Sequence, residues 1–201
     1  MATRTAESGV AANAANKERW DHGGHELLQL VGFRLGGEEY GLEILRVQEI
    51  IRMQNMTRVP NAPSFIEGVI NLRGRVIPVV GLRKRFGLEI REKDKDTRII
   101  VMEVKSEVLG FEVDSVSEVL RIPAETVEPP PRLSKGKNEY ISGVAKLQNR
   151  LLLFLDVSRL MSDTELLATQ AVASDSASLP VSATVEKAAS ESGLREKVLV
   201  S

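Results

Sequence analysis

Residues 28–51 of this chain return in altered form at 97–120, and residues 65–86 return at 140–161. In the first pair, Gly41, Glu43, Val47 and Glu49 coincide with Gly110, Glu112, Val116 and Glu118, and further positions match apolar for apolar. In the second, Phe65-Ile66-Glu67-Gly68-Val69 lies over Tyr140-Ile141-Ser142-Gly143-Val144. Leu72 then meets Leu147, Arg75 meets Arg150, and the run Val76–Val80 meets Leu151–Leu155. The second block is displaced further than the first because the linker before it is longer in the later copy. A small duplicated unit with no chemistry in either copy points to a two-lobed docking protein.

The copies read as β structure. Leu28–Leu35 alternates loosely between apolar and other residues, as a strand does. Gly36-Gly37 supplies a tight turn, and Glu38–Ile44 returns as its partner. Val47–Arg52 is short and β-branched, hence extended. Thr57–Pro63 is a loop by its two prolines, and Ser64 is placed to cap a brief helical turn leading to Gly68. A second hairpin follows: Val69–Leu72, a turn at Arg73-Gly74, and Arg75–Val80. Pro78 cannot donate to a ladder, so it predicts a bulge or a sheet edge. Leu82–Phe86 is a short helix stopped by Gly87.

In the second copy the strands are Thr97–Val104, Val108–Val113 and Ser117–Arg121. The Tyr140–Leu155 hairpin follows, turning at Gln148-Asn149. Gly74 in one turn and Asn149 in the other are the two residue types that best accept left-handed geometry. Ser162 and Glu165 form a capping box for a C-terminal helix running to about Ala173. Residues 1–24 and 168–201 read as a mobile tail and as a helix end with a disordered tail. Between them, 25–167 is the domain, with repeat units at about 25–92 and 96–163. Each unit has about five strands in roughly 65 residues, near the lower limit for a core that stands alone. The expected architecture is therefore mainly β: two small β-barrels side by side in one body, sharing a third apolar layer and having no hinge.

Composition narrows the function classes. Apolar residues make up 42% and aromatics only 4%, so the core is Val, Ile and Leu. With 27 Lys and Arg against 28 Asp and Glu, the total charge argues for neither a nucleic-acid nor an acidic-surface partner. Cysteine is absent, which excludes disulfides and thiolate chemistry and fits a reducing cytosol. The apolar run Leu151–Leu155 is far too short to span a bilayer, and residues 1–24 contain no stretch of signal-peptide type. A cytoplasmic protein without direct membrane insertion is expected.

No catalytic constellation is found, and no cofactor or metal is implied. His22 and His25 have no partner at ligand spacing. Gly136-Lys137-Asn138 lacks what a phosphate loop needs and reads as a turn. Glu38-Glu39 and Glu112/Asp114 read as solvated strand faces. A basic stretch from Arg73 to Arg98 raises nucleic-acid binding by a small barrel as the rival from another class. Such sites stack bases on exposed aromatics, whereas Phe33, Phe65, Phe86, Phe111, Tyr140 and Phe154 fall mostly at apolar positions of the repeat.

Phe33–Ile50 and Gly68–Arg83 closely resemble the CheW family of bacterial chemotaxis coupling proteins, and the resemblance extends over about Glu26–Leu167. It implies two SH3-like five-stranded β-barrel lobes, short helices and a C-terminal helix. It also implies a non-enzymatic adaptor between the histidine kinase CheA, through its regulatory domain, and the cytoplasmic tips of methyl-accepting chemotaxis receptors. The protein would be recruited to membrane receptor arrays, and the receptor's helical hairpin would lie in a groove between lobes. A CheW-like adaptor of a pilus-motility or other chemosensory pathway fits the same motifs.

Asn71-Leu72-Arg73-Gly74 in the first unit becomes Lys146-Leu147-Gln148-Asn149 in the second. The leucine stays, as packing requires, while the polar positions change, as recognition would. Arg73 offers a planar fork of donors at a turn. The resemblance places Glu49 beside it, predicting an ion pair that orders the partner-binding face. Val47 is a second candidate contact, although its copy Val116 also fits a core role. Ile44, Val69, Ile70 and Asn71 complete the candidate set.

Overall fold

The computed structural model describes residues 27–130, 140–147 and 150–177, with 175–177 by backbone alone. The leading segment with His22 and His25, the turns at 136–138 and 148–149, and the tail past 177 lie outside the described residues.

The strands are β1 (Leu27–Leu35), β2 (Glu38–Glu43), β3 (Val47–Arg52), β4 (Ile66–Leu72), β5 (Arg75–Gly81), β6 (Arg98–Val104), β7 (Glu107–Val113), β8 (Ser115–Pro123), β9 (Val127–Glu128), β10 (Ile141–Leu147) and β11 (Arg150–Leu155). Helices α1 (Leu82–Arg85), α2 (Val157–Leu160) and α3 (Asp163–Ala177) follow β5 and β11. Short 3-10 turns occupy Ile44–Arg46 and Ala124–Thr126. Ser64 caps no helix. Residues 64–65 form a turn, with the Ile66 N–H donating to the Pro63 carbonyl at 2.9 Å, and β4 starts at once.

Two sheets result, one of six strands in the order β8-β1-β2-β11-β10-β9 and one of five in the order β3-β6-β7-β5-β4. They do not coincide with the repeat units. β1 and β2 of the first copy pair with β8 and β11 of the second, while β6 and β7 of the second pair with β3 and β5 of the first. The expectation that each unit forms its own barrel is therefore corrected: each lobe is a hairpin from one copy completed by strands of the other. The exchange follows from two crossovers. The chain leaves the six-stranded sheet through Ile44–Arg46 and returns to it at Asp114. Neither sheet closes its backbone ladder, so closed barrels are not what the ladders show.

Both faces of the central strands β1, β5, β6 and β7 are largely apolar and buried, so these strands read as near-continuous hydrophobic runs. On β6, Ile99 and Val101 join Ile70, Ile77 and Val79 inside the five-stranded lobe. Ile100, Met102 and Val104 face the other way, into a layer shared with Phe33, Leu35, Leu42, Phe111 and Leu160. The six-stranded lobe encloses Leu30, Ile122, Ala145, Leu152 and Phe154. Three apolar layers thus run through one body, as the pattern predicted. Each fully buried large side chain contributes about 1.5–3 kcal/mol.

Pro78 corrects a detail. β5 lies between β4 and β7, not at an edge, and the bulge lies opposite, at Glu67. Pairing with β7 begins only at Val79, so Pro78 sits where β5 has a neighbour on one side. Its missing donor costs no ladder bond there.

Candidate protein-docking face

The β4–β5 turn is made by Arg73 and Gly74, both in left-handed backbone conformation (φ 54° and 85°), as a two-residue hairpin of the tight primed kind needs. The Gly74 N–H donates to Asn71 Oδ1 at 2.8 Å, so the asparagine side chain braces the turn. A non-glycine residue held at positive φ is mildly strained, a feature that clusters at functional sites. From this turn Arg73 Nη2 donates to Glu49 Oε1 at 3.0 Å. Glu49 lies on β3, one edge of the five-stranded sheet, whereas Arg73 follows β4, the other edge. Contact between them means that the sheet curls until its edges meet, where side chains rather than a ladder join the seam. A Thr57–Val69 bridge, with N–H to carbonyl bonds of 2.9 Å both ways, helps to close it.

The Arg73 side chain is 80% exposed, so the pair adds only about 0–1 kcal/mol to stability. Val47 packs partly against the shared layer, and Ile44 is half-buried in the crossover turn. Val69 and Ile70 are buried, leaving no side-chain surface to a partner. The structure therefore brings Arg73, Glu49 and Asn71 together and sets Val69 and Ile70 behind them as support. Two exposed apolar residues lie in the β2–β3 stretch: Leu45, 96% exposed at the crossover, and Ile50, next to Glu49 on edge strand β3. Neither was picked out from the sequence, where both look like core residues of an apolar run.

Several carboxylates that looked solvated are engaged. Glu39 is only 8% exposed and ion-paired to Arg150 at 3.3 Å. Asp114 receives Arg83 Nε and Nη2 at 2.6 and 2.7 Å and the Gly36 N–H at 2.9 Å. Burial alone would raise the Asp114 carboxyl, but the Arg83 and Gly36 donors and the charges of Arg83 and Arg91 hold it below its ordinary value. Glu165 is lowered in the same way: burial opposes it, while the Ser162 N–H and the bidentate Arg85 outweigh burial. Glu112 goes up, since burial there exceeds the pull of Lys93.

Among the described residues the aromatics do not form a stacking platform. Phe33, Phe111 and Phe154 are fully buried, and Phe86 stacks on Tyr140 at 4.3 Å between centroids. Burial, with Tyr140 and Glu38 nearby, pushes the Tyr40 hydroxyl up to about 12. Among the described residues no group of three or more His, Asp or Glu side chains converges on a metal-sized point, and no helix is long and apolar enough to cross a membrane.

A family model for the CheW-like domain matches residues 29–165. The chain is 38% identical over 136 residues to the chemotaxis protein CheW of Helicobacter pylori, covering 68% of this chain and 82% of that one. To the chemotaxis protein CheW of Klebsiella aerogenes it is 40% identical over 142 residues, covering 70% and 86%. The crystal structure of the scaffolding protein TtCheW from Thermoanaerobacter tengcongensis superposes with a TM-score of 0.65 at 38% identity, over 70% of this chain and 96% of that one.

Proposed function

This chain belongs to the CheW family, and we propose that it is a non-enzymatic adaptor that couples chemotaxis receptors to the kinase CheA. Its proposed partners are the CheA regulatory domain and the cytoplasmic receptor tip, which places it in the cytoplasm at receptor arrays. Each curled sheet is read as an SH3-like barrel whose seam is sealed by side chains. The observation that carries the reading is the Arg73–Glu49 pair at such a seam. It stabilises the fold little, it is held in a strained turn by Asn71, and exposed Ile50 follows Glu49 directly on β3.

Apolar anchors beside a planar, charge-assisted donor are what a helical hairpin laid into a groove is read by. Ile44 and Val47 would shape the floor of that groove, with Val69 and Ile70 packed beneath. An adaptor of this kind transmits a signal only if it binds the kinase's active and inactive arrangements with different free energies, and no bound nucleotide or covalent step is required.

The test is co-sedimentation with receptor fragments and CheA, with kinase phosphorylation as the functional readout. Arg73→Ala is expected to weaken capture about tenfold or more, while midpoint stability moves by no more than about 1 kcal/mol. Intact capture alongside a large loss of stability would assign the pair to the fold alone.

A further inference from the structure

The six-stranded lobe closes its seam differently from its counterpart. By repeat alignment, Glu118 on β8 stands where Glu49 stands on β3, but Gln148 occupies the position of Arg73. The arginine comes instead from two residues further on. Arg150, the first residue of β11, donates from Nη2 to Glu118 Oε1 at 3.0 Å. The same guanidinium, through Nε, lies 3.3 Å from Glu39 Oε2 on β2. It therefore spans from β11 to the edge strand, with β2 and β1 between them.

The residues around the two seams also differ. In the five-stranded lobe Val101, paired with Glu49 across the ladder, and Val108 are apolar and pack with the inner cluster. In the six-stranded lobe these become Gly32 and Glu39. A Cβ on Gly32 would lie 3.3 Å from the Glu118 carbonyl oxygen and 3.8 Å from Glu39 Oε1, so a side chain there would crowd the β8 backbone and touch the carboxylate. Glu39 is 8% exposed, and its Oε1 has no hydrogen-bond partner. A buried carboxylate so poorly satisfied stays only while a counter-charge holds it. Arg150, with 42% of its side chain exposed, is that counter-charge.

We propose that Gly32, Glu39, Arg150 and Glu118 form a conformational latch, in which Arg150 neutralises the buried Glu39 and thereby holds edge strand β8 shut over the six-stranded lobe. Glu118, itself mostly exposed, guides the arginine, and Glu39 supplies the grip. Glu39 lies on β2 and Arg150 on β11, so β8 is held both through Glu118 and by the cover its backbone makes near the carboxylate, the Glu118 carbonyl and Glu39 Oε1 both lying close to Gly32. The Arg73 seam has an apolar floor and no buried charge, so it has no such dependence.

The experiment is hydrogen exchange on the full chain, comparing β8 amides with β3 amides, alongside denaturant unfolding. Arg150→Ala is expected to speed exchange across β8 by roughly tenfold or more, because it strands a buried carboxylate, while β3 exchange changes little. Removing the charge below should restore the wild-type rate in β8. This is tested with Glu39→Gln in the Arg150→Ala background, and with the paired Gly32→Val and Glu39→Val changes that copy the other lobe. Glu118→Ala alone should move β8 exchange only slightly. Uniform acceleration across both strands would overturn the proposal, as would unchanged β8 exchange in Arg150→Ala. Failure of both rescues, where the Gln variant folds, would show that Glu39 is not what the arginine holds.

Discussion

Asp114 shows how one residue can serve both sheets. It stands at the return crossover, its own N–H bonds the Arg34 carbonyl of β1, and its carboxylate takes the Gly36 N–H and the Arg83 fork. Arg83 belongs to α1, just past β5, so the pair ties the two lobes together. Because the folded carboxyl titrates below its ordinary value of 3.8, its contribution is complete above the unfolded value and disappears as the pH falls through the folded one. Asp114→Asn should therefore cost about 1–3 kcal/mol at neutral pH, and the gap to wild type should narrow steadily under acid. Urea unfolding along a pH series measures it; a gap independent of pH would mean that the carboxylate's charge is irrelevant.

Among the elements, the strands were readable from period and turn chemistry, their turns from Gly36 and Gly74, and the end of α1 from Gly87. The capping box was equally readable: the Ser162 N–H donates to Glu165 at 2.8 Å and the Glu165 N–H to Ser162 Oγ at 3.3 Å. Ser64 carried a comparable local signal and misled, because the bond from Ile66 to Pro63 draws the chain straight into β4. Tertiary demand shows most clearly at Gly68, which has φ 153° and where a Cβ would meet the Thr57 carbonyl oxygen at 2.5 Å. Gly68→Ala should break the Thr57–Val69 bridge that helps to close the five-stranded sheet, costing roughly 2–3 kcal/mol. Thermal unfolding checks it, and a midpoint within a degree of wild type would count against the bridge.

For the whole molecule, the exchange of strands has a direct consequence. Cutting at about residue 93 leaves each half with part of both sheets, so neither half holds a complete lobe. Residues 1–93 and 94–201 should each be largely unfolded alone and regain native circular dichroism when mixed. A half that folds cooperatively by itself would refute the interdigitated arrangement. The sequence alone determined that the chain is a duplication, where most of its strands lie and which residues make its turns. All of these are encoded in local period, turn residues and repeated positions. Which strands pair with which could be decided only in three dimensions, as could Arg150's replacement of the missing second arginine and the engagement of Glu39 and Asp114. Pairing between distant segments depends on the packing of a shared apolar layer and on burying charge beside countercharge, and neither leaves a mark in the order of residues along one strand.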